Sequence, residues 1–327
     1  MASDKPIIAI TTGDPAGIGP EISLKAALDP AVRAACRPIL VSDARILGRH
    51  AEACGIEAEL RVVERAADAD WSDHRLNVLD CKQAAPIALG AVSAEAGRAS
   101  IAFCSAAVRT AMANEVDAVV AAPQNETSIA LAGIAFDGHP SFVARETGTD
   151  PDGIFMMLCF GDMKIAHATL HQGVRQAVEA ITRDRVSRVI EATGRALKRL
   201  GTVAPRIAVS GLNPHAGEGG LFGREEIEII KPAIDAAASQ GLNVIGPFGA
   251  DTMFHMQGVD AFIVMLHDQG HVAAKLMVEN AAAALVIGTP ILFSSVAHGS
   301  AHDIAGKGIA DPKAMIEAVL RMGNVRR

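Results

Sequence analysis

Residues 6–42 read PIIAITTGDPAGIGPEISLKAALDPAVRAACRPILVS. The runs PIIAIT (6–11) and RPILVS (37–42) are short, apolar and rich in β-branched residues, which is typical of buried strands. Between them, EISLKAALDPAVRAAC (21–36) repeats apolar residues at three- and four-residue spacing, which predicts a helix. The segment therefore has the order strand, helix, strand, which is typical of a parallel sheet covered by helices.

The same alternation continues along the chain. Further short apolar runs predict strands at ELRVVE (59–64), DAVVAA (117–122), RIAVSG (206–211), LNVIG (242–246), DAFIVML (260–266), AALVIG (283–288) and ILFSSV (291–296), with helical patterns such as 174–200 and 224–241 between them. In IFMMLCFGDMKIAHATL (154–170), two apolar runs flank Gly161-Asp162 and predict an antiparallel hairpin. A last helix is predicted to open on Asp311, with Pro312 at its first position.

Composition excludes several classes of protein. The chain has 327 residues, of which 50% are hydrophobic, and a formal charge of −7. No run of Lys and Arg accompanies aromatic residues, so a nucleic-acid partner is not expected. No stretch approaches about 18 uninterrupted apolar residues, so a membrane span is not expected either. The apolar N-terminal stretch is too short for a signal peptide, and five scattered cysteines lack any C-x-x-C pair, so a cytoplasmic location is expected.

Three histidines follow predicted strands at equivalent places. His171 comes after MKIAHATL, His215 after RIAVSGLNP and His267 after DAFIVML. Ligands of open α/β sheets bind outside the carboxyl ends of the strands, so three imidazoles there could hold a metal ion and leave positions free for substrate. The alternative is that each is an ordinary loop histidine, because lone histidines are seldom ligands.

Two segments are rich in glycine. GDPAGIGPE (13–21) follows the first strand, but it satisfies neither G-x-G-x-x-G nor the P-loop pattern, and it predicts a tight turn with Pro20 at the start of a helix. AHGSAHDIAGKGIADP (297–312) combines glycines, small residues and two histidines, so its backbone could close over a flat heterocycle. A plain surface loop is the alternative interpretation of the second segment.

Four segments carry a family resemblance: ITTGDPAGIGPE (10–21), GLNPHAGEGGLFGREE (211–226), LHDQGH (266–271) with Lys275 after it, and HGSAHDIAGKGIADP (298–312). In these segments the chain resembles the 4-hydroxythreonine-4-phosphate dehydrogenase family. The resemblance implies NAD(P)-linked oxidation of a hydroxyl β to a carboxylate, with a divalent metal. It also implies a homodimer of two α/β/α domains of the isocitrate/isopropylmalate dehydrogenase-like type, around mixed, largely parallel sheets. The first domain is expected at 1–127 plus 298–327 and the second at 128–297, with the active site in the cleft and at the dimer interface.

The resemblance also assigns site residues. His171, His215 and His267 resemble the metal ligands of the family, with His267 contributed by the partner subunit. Lys275 matches a substrate-contacting lysine of the family and is a candidate for binding the carboxylate or transferring a proton. His139 matches the histidine of a Gly-His-Thr motif. Asp268 or Asp251 is a candidate for orienting the metal ligands. Zinc is the favoured metal because imidazole suits borderline metals, and cobalt, manganese and magnesium are alternatives.

The tail is similar to the cofactor loop of isopropylmalate dehydrogenases. That similarity implies cofactor-binding roles for a set of residues: His298, Gly299, Ala301, Asp303 and Ile304. A carboxylate at Asp303 can accept hydrogen bonds from ribose hydroxyls and repel a 2′-phosphate, so NAD is expected rather than NADP. The alternative is that Asp303 merely caps the loop.

Four positions depart from the family pattern. Where the family holds the substrate phosphate with a threonine, an asparagine and an arginine, this chain has Pro140, Ala284 and Phe293, and Glu126 replaces a lysine. Phosphate needs charge-assisted hydrogen bonds, so an unphosphorylated substrate is expected. The chain is similar here to a branch that oxidises a dihydroxycyclohexadiene carboxylate, which predicts oxidation and decarboxylation of a cyclic cis-diol carboxylate. The alternatives are 4-hydroxythreonine-4-phosphate dehydrogenase of pyridoxal phosphate biosynthesis, a metal-dependent hydrolase or lyase without nicotinamide, and a binding protein without activity.

Overall fold

Parallel strands alternate with helices in the computed structural model, which describes residues 5–72, 74–83, 85–277 and 283–325. The strands are β1 (Ile7–Thr11), β2 (Arg37–Ser42), β3 (Leu60–Val63), β4 (Leu76–Asp80), β5 (Ala118–Ala121), β6 (Phe155–Phe160), β7 (Met163–His167), β8 (Arg206–Ser210), β9 (Asn243–Phe248), β10 (Ala261–Val264), β11 (Ala283–Ile287) and β12 (Phe293–Val296). The helices are α1 (Gly19–Leu28), α2 (Pro30–Ala35), α3 (Ala44–Ala53), α4 (Ala94–Met112), α5 (Glu126–Leu131), α6 (His139–Thr147), α7 (Val174–Ala180), α8 (Arg183–Arg199), α9 (Lys231–Ser239), α10 (His267–Met277) and α11 (Lys313–Arg321). The predicted α/β class with mixed, largely parallel strands is confirmed.

The chain divides into two units. The first unit contains Met1–Thr147 and Pro290–Arg327, and the second contains Gly148–Thr289. Both boundaries differ from the expected ones at 127/128 and 297/298. Helices α5 and α6 pack on α4, and β12 pairs in parallel with β5. The segments around both boundaries therefore belong with the first unit.

Six parallel strands form the sheet of the first unit, in the order β3-β4-β2-β1-β5-β12. Its central strands are buried on both faces, as continuous apolar runs require; Ile8, Ile10 and Leu40 are fully buried. β4 is a strand that the apolar pattern of the sequence does not predict. Its RLNVLD segment carries Asn77, which is buried and donates from Nδ2 to the backbone O of Asp70 at 2.9 Å.

Side-chain caps divide two predicted helices. The Oδ1 atom of Asp29 accepts hydrogen bonds from the backbone N atoms of Ala31 and Val32, at 2.8 and 3.2 Å. These bonds begin α2, so the predicted helix 21–36 is two helices. In the same way, Thr182 caps α8 and splits the predicted helix 174–200. At α11, Asp311 accepts from Lys313 N at 2.9 Å, but Pro312 occupies the N-cap position and the helix begins at Lys313, one residue later than predicted.

The sheet of the second unit has the order β11-β6-β7-β10-β8-β9. β6 and β7 form the predicted antiparallel hairpin, and β11 is antiparallel to β6. β7, β10, β8 and β9 are parallel neighbours. The carboxyl ends of β7, β10 and β8 therefore lie at one edge of this sheet, where side chains that follow them can meet.

No helix within the described ranges is both long and apolar enough to cross a membrane. The described part of the chain contains no disulfide bond.

Candidate active site

Hydrogen bonds align the chain segments that follow β7 and β10 in the second unit. Ala168 N donates to Val264 O at 2.8 Å, and Thr169 Oγ1 donates to Met265 O at 2.7 Å. The two segments therefore continue side by side beyond the strands. They bring the rings of His171 and His267 together, with their centroids 5.7 Å apart.

The His267 ring is oriented by its neighbour in sequence. Its Nδ1 atom lies 2.7 Å from Oδ1 of Asp268, whose side chain is 84% exposed. A carboxylate on Nδ1 favours the tautomer that leaves Nε2 unprotonated and free to bind a metal, as in many metal-ligating histidines. The structure thus gives Asp268 the contact that its predicted orienting role needs.

Two further histidines, which were not among the predicted site residues, adjoin this pair. The His271 ring stacks on that of His267, with a centroid distance of 3.8 Å and an interplanar angle of 10°. His271 Nδ1 is 3.1 Å from His167 Nε2. Burial lowers the pKa of His271 to about 4 and that of His167 to about 3, so both are neutral at pH 7. The four-residue spacing of His267 and His271 on one helix is the sequence signal that indicates their contact.

The remaining residues of the HDQGH motif join strand ends. Gln269 Oε1 accepts from the backbone N atoms of Met265 and Leu266, each at 2.9 Å, and Gln269 Nε2 donates to Gly211 O at 3.1 Å. A Cβ atom on Gly270 would lie 2.3 Å from His167 Nε2. The motif therefore connects the ends of β10 and β8, and its glycine makes room for the His167 ring.

His215 lies in a left-handed loop after β8. Residues 215–219 have φ values of 51°, 52°, 79°, 42° and 67°. Glu226, which is only 3% exposed, anchors the start of the loop by accepting from the backbone N atoms of Leu212 and Asn213 at 2.7 and 2.8 Å. The His215 ring contacts Phe222 edge-on, at a centroid distance of 6.0 Å.

The structure brings together two of the three predicted metal ligands. Within the described residues, His215 makes no ring contact with His171 or His267. No group of three or more His, Cys, Asp or Glu side chains in the described part of the chain is arranged to hold a metal ion. The three-histidine site therefore stays a prediction, and the His171–His267 pair is the part that one chain assembles.

A cavity of about 290 Å³ adjoins this pair within the second unit. Its lining combines the two imidazoles with apolar side chains: Leu170, His171, Val174, Ala177, Leu266 and His267. Asp268 and Gln172 supply further polar atoms to its wall. Apolar walls with a few polar groups are typical of small-molecule sites.

The other two predicted residues of this unit lie apart from the histidine pair. Lys275 is exposed on α10, about two turns after His267. Asp251 is exposed after β9 and, among the described residues, forms no hydrogen bond or ion pair with the three histidines. The orienting role considered for Asp251 thus lacks the direct contact that Asp268 has.

In the first unit, the two glycine-rich segments lie against each other. Ile18 N donates to Ser300 O at 2.9 Å, and α1 begins with Pro20 in its first turn, as predicted for the tight turn. Asp303 is exposed, and His298 Nδ1 is 3.1 Å from Gly299 O. Ala301 has a φ of 38°, which is unusual for a residue other than glycine.

His139 begins α6 in the first unit, and its ring lies 5.3 Å from that of Phe293, centroid to centroid. Burial lowers the pKa of His139 to about 4. Its Nε2 atom is buried and has no hydrogen-bond partner among the described residues. A buried polar atom without a partner is unusual and suggests a place for a ligand atom.

We expect His139 to make stability depend on pH. Its pKa is lower in the folded chain than the ordinary value of 6.5, so the unfolded chain takes up the proton first. Its contribution is fully present above pH 6.5 and is lost as pH falls from 6.5 towards 4, by up to about 3 kcal/mol. Urea unfolding at pH values from 7.5 to 4.5 measures this loss.

The H139F variant should lose less stability than the wild-type chain across that range. H255F, which changes an exposed histidine of the second unit, serves as the matched control and should keep the wild-type slope. Equal pH slopes for H139F and the wild-type chain would contradict the prediction.

Comparison with known proteins relates the whole chain to one family. Residues 34–322 match the family described as pyridoxal phosphate biosynthetic protein PdxA. The chain is 38% identical over 318 residues to 1,2-dihydroxy-3,5-cyclohexadiene-1,4-dicarboxylate dehydrogenase of Comamonas sp., covering 97% of this chain and 96% of that one. It is 39% identical over 328 residues to D-threonate 4-phosphate dehydrogenase of Cupriavidus necator, covering 99% and 98%.

A solved structure extends the similarity to the fold. The crystal structure of a 4-hydroxythreonine-4-phosphate dehydrogenase from Burkholderia phymatum matches with a TM-score of 0.90 and 36% identity, over 98% of this chain and 99% of that one. The three relatives share a dehydrogenase name and differ in the named substrate.

Proposed function

Because this chain belongs to the PdxA family and is a dehydrogenase acting on a CH–OH group, we propose that it oxidises an unphosphorylated β-hydroxy acid with NAD and then releases carbon dioxide. The proposed substrate is a cyclic cis-diol carboxylate. One observation carries this choice: Phe293, where the family has a phosphate-binding arginine, is fully buried against the His139 ring. A buried aromatic side chain at this position offers a phosphate no hydrogen-bond donor.

The second candidate is a dehydrogenase of a phosphorylated hydroxy acid. The relatives named for D-threonate 4-phosphate and 4-hydroxythreonine-4-phosphate favour it, because their identities to this chain are close to that of the cyclohexadiene enzyme. Both candidates share the β-hydroxy acid chemistry, so they differ only in what binds the distal part of the substrate.

The proposed metal is a divalent ion, with zinc favoured over cobalt, manganese and magnesium. His171 and His267, with its free Nε2 atom, are suited to hold it, and His215 is the third proposed ligand. From the family resemblance we propose a homodimer in which His267 comes from the partner subunit. The alternative, which the 5.7 Å separation of the His171 and His267 rings favours, is that one chain supplies both ligands. When bound, the ion would act as a Lewis acid that lowers the pKa of the substrate hydroxyl.

NAD is the oxidant in the proposed reaction. The carbon that bears the hydroxyl loses a hydride to NAD, and the hydroxyl proton goes to a base, which leaves a β-keto acid and NADH. The carboxylate then leaves as carbon dioxide, and the electrons of the broken C–C bond form an enolate, whose oxygen takes up a proton. From a cyclohexadiene diol, the product would be an aromatic phenol, which favours this direction.

The residues of the chain have distinct proposed roles in these steps. Lys275 binds the carboxylate or supplies the proton, and the unpartnered Nε2 atom of His139 contacts the substrate. Asp268 holds His267 in its metal-binding tautomer. The apolar side chains of the 290 Å³ cavity provide a surface for the apolar part of the substrate beside the two imidazoles.

The test of this function is a comparison of two substrates under the same metal and NAD conditions. We expect kcat/KM for a dihydroxycyclohexadiene carboxylate to exceed that for 4-hydroxythreonine 4-phosphate by roughly a hundredfold, because losing two charge-assisted hydrogen bonds of about 1.5–3 kcal/mol each weakens phosphate binding by that much or more. NADH absorbance measures oxidation, and carbon dioxide release measures decarboxylation. Preferred use of the phosphorylated amino acid would favour the second candidate.

A single substitution tests whether the missing hydroxyl group disfavours the phosphorylated substrate. P140T restores the hydroxyl that the family has beside the histidine, at a position next to the start of α6. We expect P140T to improve kcat/KM for the phosphorylated substrate by about tenfold, the value of one such hydrogen bond. P140A, which removes the proline without adding a donor, is the matched control and should give no such gain.

The cofactor preference provides a separate prediction. We expect kcat/KM with NAD to exceed that with NADP by at least about tenfold, because the exposed carboxylate of Asp303 repels a 2′-phosphate. D303A should reduce the preference, whereas D311A, which removes the acceptor for Lys313 N in the same tail, should leave it unchanged. A D303A enzyme with the wild-type preference would assign Asp303 to loop capping alone.

A further inference from the structure

A buried carboxylate links the two glycine-rich segments of the first unit. Asp14, in the turn between β1 and α1, is 0% exposed. Its Oδ1 atom accepts from Ala16 N at 2.8 Å, and its Oδ2 atom lies 3.2 Å from Nε2 of His302. The His302 side chain is 13% exposed. Because a buried carboxylate is stable only when it is paired, this contact joins the turn to the loop 297–312.

Other contacts hold the same two segments close together. Ser300 O accepts from Ile18 N at 2.9 Å, and Ser300 Oγ is 3.3 Å from Asn125 Nδ2. A Cβ atom on Gly17 would lie 2.4 Å from Ser300 O, so only glycine permits this approach. The hydrogen bond to Ser300 O thus fixes the backbone of the loop, and the contact with Asp14 fixes the side chain of His302.

The backbone conformation of the loop at Ala301 requires stabilising contacts of this kind. Ala301, next to His302, has a φ of 38°, a conformation that an L-residue with a side chain adopts only when its surroundings enforce it. Ala301 and Asp303 flank His302 and are both proposed cofactor-binding residues. A loop that is already ordered does not lose conformational entropy when its ligand binds.

We propose that Asp14 and His302 form a positioning pair that fixes the loop 297–312 in the conformation that binds the nicotinamide dinucleotide. The proposal rests on the proposed function, in which this loop carries the cofactor-binding residues. His302 acts through the loop backbone, and Asp14 acts through His302. Neither residue needs to touch the substrate.

The experiment measures NADH binding by fluorescence titration, together with KM for NAD, KM for the acid substrate and kcat. H302L removes the N–H that faces Asp14 and should raise the Kd of NADH by roughly ten- to a hundredfold, the equivalent of one hydrogen bond to a charged group. KM for NAD should rise with it. KM for the acid and kcat at saturating NAD should stay near the wild-type values, a split that general loss of structure does not produce.

Two more variants complete the test of the pair. H302Q keeps an N–H donor and should recover most of the NADH affinity. D14N keeps an oxygen for Ala16 N but replaces the acceptor that faces His302, so it should raise the Kd as H302L does. It also serves as the test if H302L does not fold.

S42A is the matched control: it removes the buried hydrogen bond from Thr12 Oγ1 to Ser42 Oγ (2.7 Å) at the adjacent strand end without touching the loop. It should bind NADH as the wild-type chain does.

The possible failures are distinguishable. Wild-type NADH affinity in H302L and D14N, or an equal loss in H302Q and H302L, would overturn the positioning pair. A wild-type chain that binds neither NADH nor NADPH would instead overturn the proposed function.

Discussion

Replacing His171 or His267 with alanine is expected to lower kcat/KM by roughly a thousandfold or more, because the variant loses a proposed metal ligand and with it several kcal/mol of transition-state stabilisation. The two rings lie 5.7 Å apart at one edge of the sheet of the second unit. His215 is the third proposed ligand, so H215A should have the same effect. Zinc content after gel filtration should fall together with activity.

The control for these variants is H255A, which changes an exposed histidine of the same unit. It should retain the zinc content and kcat/KM of the wild-type enzyme. Thermal unfolding of each variant verifies that the fold is intact. Full activity in H171A or H267A, or in thoroughly chelated enzyme, would remove the metal from the mechanism.

Mixing two inactive variants is expected to restore activity if His267 serves the site of the partner subunit. In a heterodimer of H171A and H267A, one site then carries both substitutions, and the other has every ligand intact. Random exchange at equal amounts makes half of the dimers mixed, so about a quarter of the wild-type activity should return. Activity measured against time after mixing follows the exchange.

The activity of the mixtures distinguishes a site built by one chain from a site shared by two chains. If all three ligands come from one chain, each chain of the mixture lacks one of them, and no activity returns after exchange is verified by mass spectrometry. The pair H171A and H215A is the internal control, because both substitutions then affect the same contribution of one chain. If His267 crosses the interface, every site of that mixture lacks either His171 or His215, so no activity should return.

Much of the fold could be predicted from periodicity. Strands such as β1 and β2 are uniformly apolar and lie between helical patterns, and the hairpin around Gly161-Asp162 formed as expected. The helix boundaries depended on single side chains, such as the capping Asp29, whose role requires the backbone geometry to be known. The short β4 was missed because its polar Asn77 interrupts the apolar run.

The candidate site was predictable only in part. The sequence places His171, His215 and His267 equally, each after a strand, but the hydrogen bonds beyond β7 and β10 bring only His171 and His267 together. The contact between Asp14 and His302 spans nearly the whole length of the chain and leaves no local pattern to detect. Contacts of this kind arise from tertiary packing rather than from spacing.

The left-handed loop at 215–219 limits how this region can be re-engineered. Its backbone is the mirror image of an ordinary helical turn, so a right-handed replacement of equal length would aim the His215 side chain in another direction. Glu226 supplies the acceptors for the backbone that leads into the loop. A transplant of this loop into another scaffold must therefore move residues 211–226 as one cassette, with its glycines and its glutamate together.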